Sequence, residues 1–204
     1  MWIFNYFFGT FSICSIITTG YDIFVNKGKH YKRTSDETIN IIKYIAPNII
    51  FNIVLTIPYF ELAEIYIETK ERNKYGILMN SIFTFFIADF LTYITHRLAH
   101  LPRFYKYHKK HHEFKYPISM AAIYADPLDF MLVNVIPFSA SIFLIHPDDI
   151  SIAFLTCSFM SITMLQAHGG YKFLDDAHLN HHIYYKVNYG LGFFDIIFGT
   201  KMNI

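Results

Sequence analysis

The sequence has few charged residues, little net charge and only two cysteines. Asp, Glu, Lys and Arg make up 16% of its 204 residues, whereas soluble domains contain about a quarter. The net charge of +1 gives no general reason to bind nucleic acid. Cys14 and Cys157 lie far apart in apolar runs, which is the pattern of neither a disulfide framework nor a zinc-thiolate site. The composition therefore disfavours a soluble globular domain, a disordered chain and a nucleic-acid-binding protein.

Long apolar stretches fill much of the chain, which is 53% apolar and 19% aromatic. A membrane-spanning helix needs about 20 mostly apolar residues. The sequence predicts an all-α integral membrane protein with four or five transmembrane helices, the second of them interrupted by two prolines. The first stretch has no preceding Lys or Arg and no small-residue cleavage site, so it is expected to be a retained anchor. The predicted spans are Trp2 to Val25, Ile39 to Phe60, Ile77 to Thr95, and a hairpin from Leu128 to Ala167 that turns at His146 to Asp149.

The positive charges predict an orientation for these spans. With five spans, segments 26–38, 96–127 and 168–204 lie on one side and carry 13 of the 17 Lys and Arg residues. By the positive-inside rule that side is cytoplasmic. No repeat or linker is evident, so we expect one structural domain, made of an N-terminal transmembrane region (1–76) and a catalytic region (77–204).

Histidine is the unusual residue of this sequence. Most histidines fall in three groups, at 96–100, 108–112 and 178–182. Side chains three or four residues apart on a helix share a face, so each group is expected to aim its imidazoles in one direction. Convergent neutral imidazoles suit Zn, Fe, Cu or Ni, and they are too many for one four-ligand site. We therefore predict two metal ions with about four ligands each. Of the 11 histidines, His30 and His146 stand alone and are interpreted as packed or interfacial residues; the others are His96, His100, His108, His111, His112, His168, His178, His181 and His182.

Charged residues near the histidines have competing interpretations. Asp89 lies about two helical turns before His96 and is a candidate partner for the outer N–H of that ligand, since carboxylates within a membrane are costly and usually functional. Alternatively, Asp89 pairs with a Lys or Arg at the interface. Asp195 is equally compatible with a structural salt bridge. The basic tract 103–110 is also typical of a contact with anionic lipid.

The histidine groups and the residues around them resemble the fatty acid hydroxylase / sterol desaturase superfamily of membrane di-iron oxygenases. The resemblance covers roughly residues 80–200. It rests on His-x3-His at 96–100, His-x2-His-His at 108–112 and again at 178–182, together with His168-Gly-Gly-Tyr171, Asn188-Tyr-Gly190 and Phe198-Gly-Thr200.

The resemblance implies a multi-pass enzyme of the endoplasmic reticulum that oxidises an unactivated C–H bond of a lipid. Two iron ions held by the nine histidines would use O2 and electrons from a separate donor such as cytochrome b5, and zinc is a conceivable substitute for iron. Substrates in the superfamily include sterols, long-chain acyl groups and sphingolipids, and the outcome is hydroxylation or desaturation. Many members have His-Pro-x-Glu where this chain has Asp126-Pro-Leu-Asp129. Asp126 is therefore a further candidate metal ligand, replacing that histidine, unless the site has one ligand fewer.

Other function classes fit the sequence less well. A zinc-dependent hydrolase would be expected to contain His-Glu-x-x-His, which the sequence lacks. A metal transporter should place its ligands near the bilayer midplane, whereas these histidines follow the predicted spans. A catalytically inactive membrane scaffold of the same fold is the remaining alternative, and the Asp126 departure is the reason for keeping it.

Overall fold

The computed structural model describes residues 2–24, 34–66, 74–145, 150–169 and 177–202. Within these ranges every regular element is helical and no strand occurs, so the predicted all-α class is confirmed. Two 3-10 turns (His111–Glu113 and Ser119–Ile123) and one π-helical turn (Phe130–Val135) supplement the α-helices. The α-helices are α1 (Trp2–Phe24), α2 (Ser35–Tyr66), α3 (Lys74–Ala99), α4 (Tyr105–His108), α5 (Pro127–Asp129), α6 (Ile136–Ile145), α7 (Ile150–Gly169), α8 (Ala177–Tyr184) and α9 (Phe193–Ile197).

Helix α2 begins at a reciprocal cap and continues through two prolines. The Thr34 N–H donates to Glu37 Oε2 (2.7 Å), and the Glu37 N–H donates to Thr34 Oγ1 (3.2 Å). This capping box satisfies two backbone groups that the first helical turn leaves free. Pro47 and Pro58 each remove a backbone hydrogen bond, but both lie inside the helix and do not end it. The predicted second span is one continuous helix.

Two helices of the described chain are long and apolar enough to cross a membrane. They are Ser35–Pro58 within α2 and Leu78–Ala99 within α3. The predicted first span forms α1, and the predicted hairpin forms the π turn with α6 and then α7. Its turn at His146 to Asp149 lies outside the described residues, as does His30. The total of four or five spans stays a prediction.

The helices pack so that the ends of α3 and α7 meet the short segments between α3 and α6. Helix α1 lies on α7, and α3 packs against both α6 and α7. The Ser119–Ile123 turn fills the space between α1, α2 and α7. Ile45, Ile118, Phe130 and Leu165 are buried in this core. Because residues 100–135 form short turns rather than one long helix, their side chains can gather against the end of α3.

Candidate metal centre

Nine histidines from four parts of the fold gather in two adjacent groups. In each group the potential ligand atoms all lie within 4.8 Å of one another. We call the first group the five-histidine cluster and the second the four-histidine cluster. The five-histidine cluster consists of His96, His100, His108, His112 and His181, and the four-histidine cluster of His111, His168, His178 and His182.

In the five-histidine cluster the Nε2 atoms converge. His108 Nε2 lies 3.1 Å from His96 Nε2 and 3.1 Å from His112 Nε2. His100 and His181 close the cluster, with their Nε2 atoms 3.0 Å apart. Ligand nitrogens at about 2.1 Å from one ion are expected to lie about 3 Å from their neighbours. The spacing thus fits a shared metal ion.

The four-histidine cluster shows the same convergence with fewer ligands. His111 Nε2 and His168 Nε2 are 3.2 Å apart. His178 Nε2 and His182 Nε2 are buried and have no hydrogen-bond partner among the described residues. Buried polar atoms are normally satisfied, and an imidazole lone pair is a good metal ligand. A second metal ion would satisfy both nitrogens, so the residues fit the predicted group.

Burial keeps these imidazoles neutral. It lowers the pKa of His111 to about 3 and that of His100 to about 4, and in both cases a neighbouring histidine lowers the pKa further. Burial also holds the pKa values of His108 and His112 well below the usual value. Neutral imidazole is the form that binds a metal, so the two clusters are available to metal at neutral pH.

Hydrogen bonds on the opposite ring nitrogen orient the ligands. In the five-histidine cluster, His96 Nδ1 donates to the carbonyl oxygen of Tyr189 (2.7 Å) and His181 Nδ1 to that of Val187 (2.6 Å). Because a carbonyl only accepts, the proton is on Nδ1 and the Nε2 lone pair faces the cluster. The corresponding donors of the four-histidine cluster are His111 to Tyr124, His168 to Met164 and His182 to Phe114.

The two histidine triplets divide between the clusters. Residues four apart stay together, as His108 does with His112 and His178 with His182, while His111 and His181 join the other cluster. The expectation that each triplet aims in a single direction was therefore wrong. Helix α4 ends at His108 and a 3-10 turn carries the next two histidines, which turns His111 away. In α8, His181 faces the five-histidine cluster, whereas its neighbour His182 faces the four-histidine cluster together with His178.

Asp89 contacts the backbone segment 189–191 rather than His96. Its Oδ1 accepts from the Leu191 N–H (2.8 Å), whereas the Nδ1 of His96 bonds to Tyr189. Asp195 accepts from the N–H groups of Tyr189 and Gly190, both at 2.8 Å. The two buried aspartates thus hold the backbone strip 189–191, whose Tyr189 carbonyl orients His96. The predicted direct bond from Asp89 to His96 is absent because that carbonyl occupies the position.

Gly190 makes this arrangement sterically feasible. A Cβ atom at this position would lie 2.8 Å from Asp89 Oδ1 and 3.4 Å from the Cβ of Tyr93. Only glycine therefore allows the strip to approach α3 so closely.

Asp126 lies outside both clusters. Its carboxylate caps α5 by accepting from the Leu128 N–H (3.0 Å). Asp129, three residues later, is the carboxylate that contacts a cluster histidine, with both oxygens 2.9 Å from His108 Nδ1. Sequence reasoning quoted Asp129 in the motif but gave it no role. The signal was present, since Asp129 is an acidic residue inside the predicted apolar hairpin.

Among the described residues, two pockets reach the centre. A largely apolar cavity with about 950 Å³ of empty space, part of it open to the surroundings, is lined by histidines of both clusters and by side chains of α3, the π turn, α6 and α7. A second, more open pocket reaches only His100 of the nine. That pocket is lined by Arg97, His100, Leu101, Tyr105, Tyr185, Lys186, Tyr189 and Thr200.

Comparison with known proteins gives consistent relatives. A family model described as fatty acid hydroxylase matches residues 81–200. The chain is 35% identical to fatty acid hydroxylase ahd1 of Mycosarcoma maydis, over 78% of this chain and 45% of that protein. It is 32% identical to methylsterol monooxygenase 1 of Gallus gallus, over 65% of this chain and 50% of that protein. It is 30% identical to Delta(7)-sterol 5(6)-desaturase erg3C of Aspergillus fumigatus, over 72% and 57% of the respective chains.

The chain spans about half the length of the curated relatives it matches. No solved structure matches it significantly. The family model covers more than half of the chain and all nine clustered histidines. The chain therefore belongs to the fatty acid hydroxylase / sterol desaturase superfamily.

Proposed function

We propose that this protein catalyses the O2-dependent oxidation of a membrane lipid, such as a sterol or a long-chain acyl lipid, at a pair of iron ions. The observation that carries the proposal is the convergence of nine buried histidines in two clusters beside an apolar cavity. Relatives named as a hydroxylase, a monooxygenase and a desaturase support lipid oxidation as the reaction class.

Iron bound by the two clusters would supply the activation of O2 that lets an unactivated C–H bond be oxidised. Hydroxylation consumes one O2, two electrons and two protons, and gives an alcohol and one water. Desaturation consumes the same reactants and gives an alkene and two waters. Both reactions need an external electron source, for which we propose a separate protein such as cytochrome b5.

The chain's own residues supply ligand geometry, substrate position and exclusion of water. The Nδ1 hydrogen bonds fix the imidazole rings before metal binds, which reduces the reorganisation needed at the centre. Side chains such as Ile123, Phe130, Val133, Phe138 and Met164 line the cavity. Such walls favour a hydrocarbon and keep water from the reacting carbon.

A membrane location supports access by a lipid. Large apolar side chains are more than half exposed on both candidate spans, for example Ile50, Phe51 and Val54 on α2 and Leu78 and Phe83 on α3. Such faces are costly in water and favourable against lipid. We propose a multi-pass protein of the endoplasmic reticulum with four or five spans, its histidines facing the cytoplasm.

The test combines metal content with product analysis. Protein expressed with ample iron and purified in detergent should hold close to two iron ions per chain. Reconstituted with a reductant, a cytochrome b5 system and a panel of sterols and acyl lipids, it should form a hydroxylated or unsaturated product. A hydroxylated product should carry 18O from 18O2.

Other outcomes point to other functions. One zinc ion per chain, with failed iron reconstitution, would favour a zinc-dependent hydrolase. Absence of any stoichiometric metal would indicate a non-catalytic scaffold. In either case the proposed oxidation would be wrong.

A further inference from the structure

Among the described contacts, the Nδ1 of His108 meets a carboxyl side chain, that of Asp129, instead of a backbone carbonyl. His108 Nδ1 lies 2.9 Å from Asp129 Oδ1 and 2.9 Å from Oδ2. Both side chains are buried, His108 with 1% and Asp129 with 4% of its surface exposed. Beside a bound cation the carboxylate would be ionised and could only accept, so Nδ1 would carry the proton and donate it, and the His108 Nε2 lone pair would face His96 and His112.

We propose that Asp129 is a positioning residue that acts through His108 and makes the five-histidine cluster the tighter of two unequal metal sites. The inference rests on the proposed metal centre. A carboxylate behind a ligating histidine fixes the ring and increases the basicity of the ligand. It also places a negative charge near an ion whose ligands are all neutral, which offsets part of the cost of burying the cation.

The four-histidine cluster has no equivalent among its described contacts. Its outward-facing Nδ1 donors, those of His111, His168 and His182, meet the carbonyl oxygens of Tyr124, Met164 and Phe114. A neutral carbonyl orients a ring but adds no net charge. Because orientation is common to both clusters, the carboxylate adds to the extra histidine ligand in making the expected affinity of the five-histidine cluster the higher one.

Local structure gives Asp129 a matched control three residues away. Asp126 accepts from the Leu128 N–H at the start of α5, and its carbonyl accepts from the Phe130 N–H (2.8 Å). It caps the turn and contacts no cluster histidine. Asp129 ends that turn and precedes the π turn Phe130–Val135. Neutralising Asp126 tests whether the cap of α5 matters for metal binding. Neutralising Asp129 tests whether the contact with His108 matters.

The experiment is an anaerobic titration of metal-free protein with Fe(II) against a competing chelator. Wild type should show two classes of site. D129N should lose about 10- to 100-fold in affinity at the tighter site and leave the weaker site unchanged. D126N should titrate like wild type, and D129E should recover much of the loss because it restores a carboxylate.

Action through His108 is tested by combining variants. In an H108A background, D129N should weaken Fe(II) binding at the five-histidine cluster by less than about twofold further, because coupled residues are not additive. Far-ultraviolet circular dichroism and thermal unfolding of the metal-free proteins should be nearly equal for wild type and D129N. A purely structural role of Asp129 would lower both instead.

The possible failures separate the two proposals. If wild type binds two Fe(II) and D129N binds them equally well, or if D129N has its full effect in the H108A background, the role of Asp129 is wrong and the metal centre stands. If wild type binds no Fe(II), the metal centre is wrong and the inference falls with it.

Discussion

The five-histidine and four-histidine clusters share α8 and the turn around His111, yet their surroundings differ. Both line the apolar cavity, through His96 and His108 on one side and His111, His168 and His178 on the other. The more open pocket reaches only His100, which belongs to the five-histidine cluster. Asp129 contacts that cluster as well. Nearly equal sets of ligands therefore lie in unequal electrostatic environments, and residue type alone does not describe a metal site.

The largest expected effect on iron content and activity comes from substituting two adjacent histidines of α8. His181 belongs to the five-histidine cluster and His182 to the four-histidine cluster. After dialysis against a chelator, which removes weakly held metal, H181A and H182A should each retain about one iron per chain instead of about two, measured by plasma emission, and each should lower lipid oxidation by more than about 100-fold because a ligand is missing.

The two variants should then separate under a second change. In H182A the five-histidine cluster is intact and holds the remaining iron, so adding D129N should weaken the binding of that iron. In H181A the remaining iron is in the four-histidine cluster, so adding D129N should have little effect. Equal responses of the two variants to D129N would contradict the division of the histidines between clusters.

Filling the shared cavity should affect substrate while sparing both metals. Ala122 is 1% exposed and lines the cavity wall. We expect A122F to lower kcat/KM for the lipid at least about tenfold, because the added ring occupies substrate space and displaces the reacting carbon. Overpacking should cost about 1–3 kcal/mol of stability.

Iron content is the control for A122F. It should stay near that of wild type, since the substituted side chain is not a ligand. Lost iron together with lost activity would show that the wall supports the clusters rather than the substrate.

Sequence analysis predicted the nine histidines because they cluster within residues 96–182 and eight of them form three groups at helical spacing. Periodicity did not assign them to clusters. His111 and His181 lie beside residues that join the other cluster, and that division depends on where α4 ends and how α8 packs. The direct partner of His108 was missed for a similar reason, because a pairing between residues 21 positions apart depends on how the turns at 109–128 fold back. The helical class, in contrast, follows from apolar runs long enough for membrane-spanning helices.

Gly190 offers a smaller test, aimed at the strip that orients His96. G190A should displace the Tyr189 carbonyl because its Cβ would lie 2.8 Å from Asp89 Oδ1. We expect about a tenfold loss of iron affinity at the five-histidine cluster, with the other cluster unchanged, measured by the chelator titration. Gly20 of α1 has no atom within 4 Å of an added Cβ, so G20A should bind iron like wild type.

The smallest effect is expected for D89N, and it compares two buried carboxylates beside the same cluster. Asp129 contacts its histidine directly, whereas Asp89 reaches His96 only through the Leu191 N–H and the Tyr189 carbonyl. Asparagine keeps an oxygen that accepts from Leu191, so the strip should stay in place and Fe(II) affinity should fall less than about threefold. The loss in D129N should be larger, because there the charge acts on the ligand itself. Equal losses in D89N and D129N would mean that buried negative charge near the cluster matters more than the contact with His108.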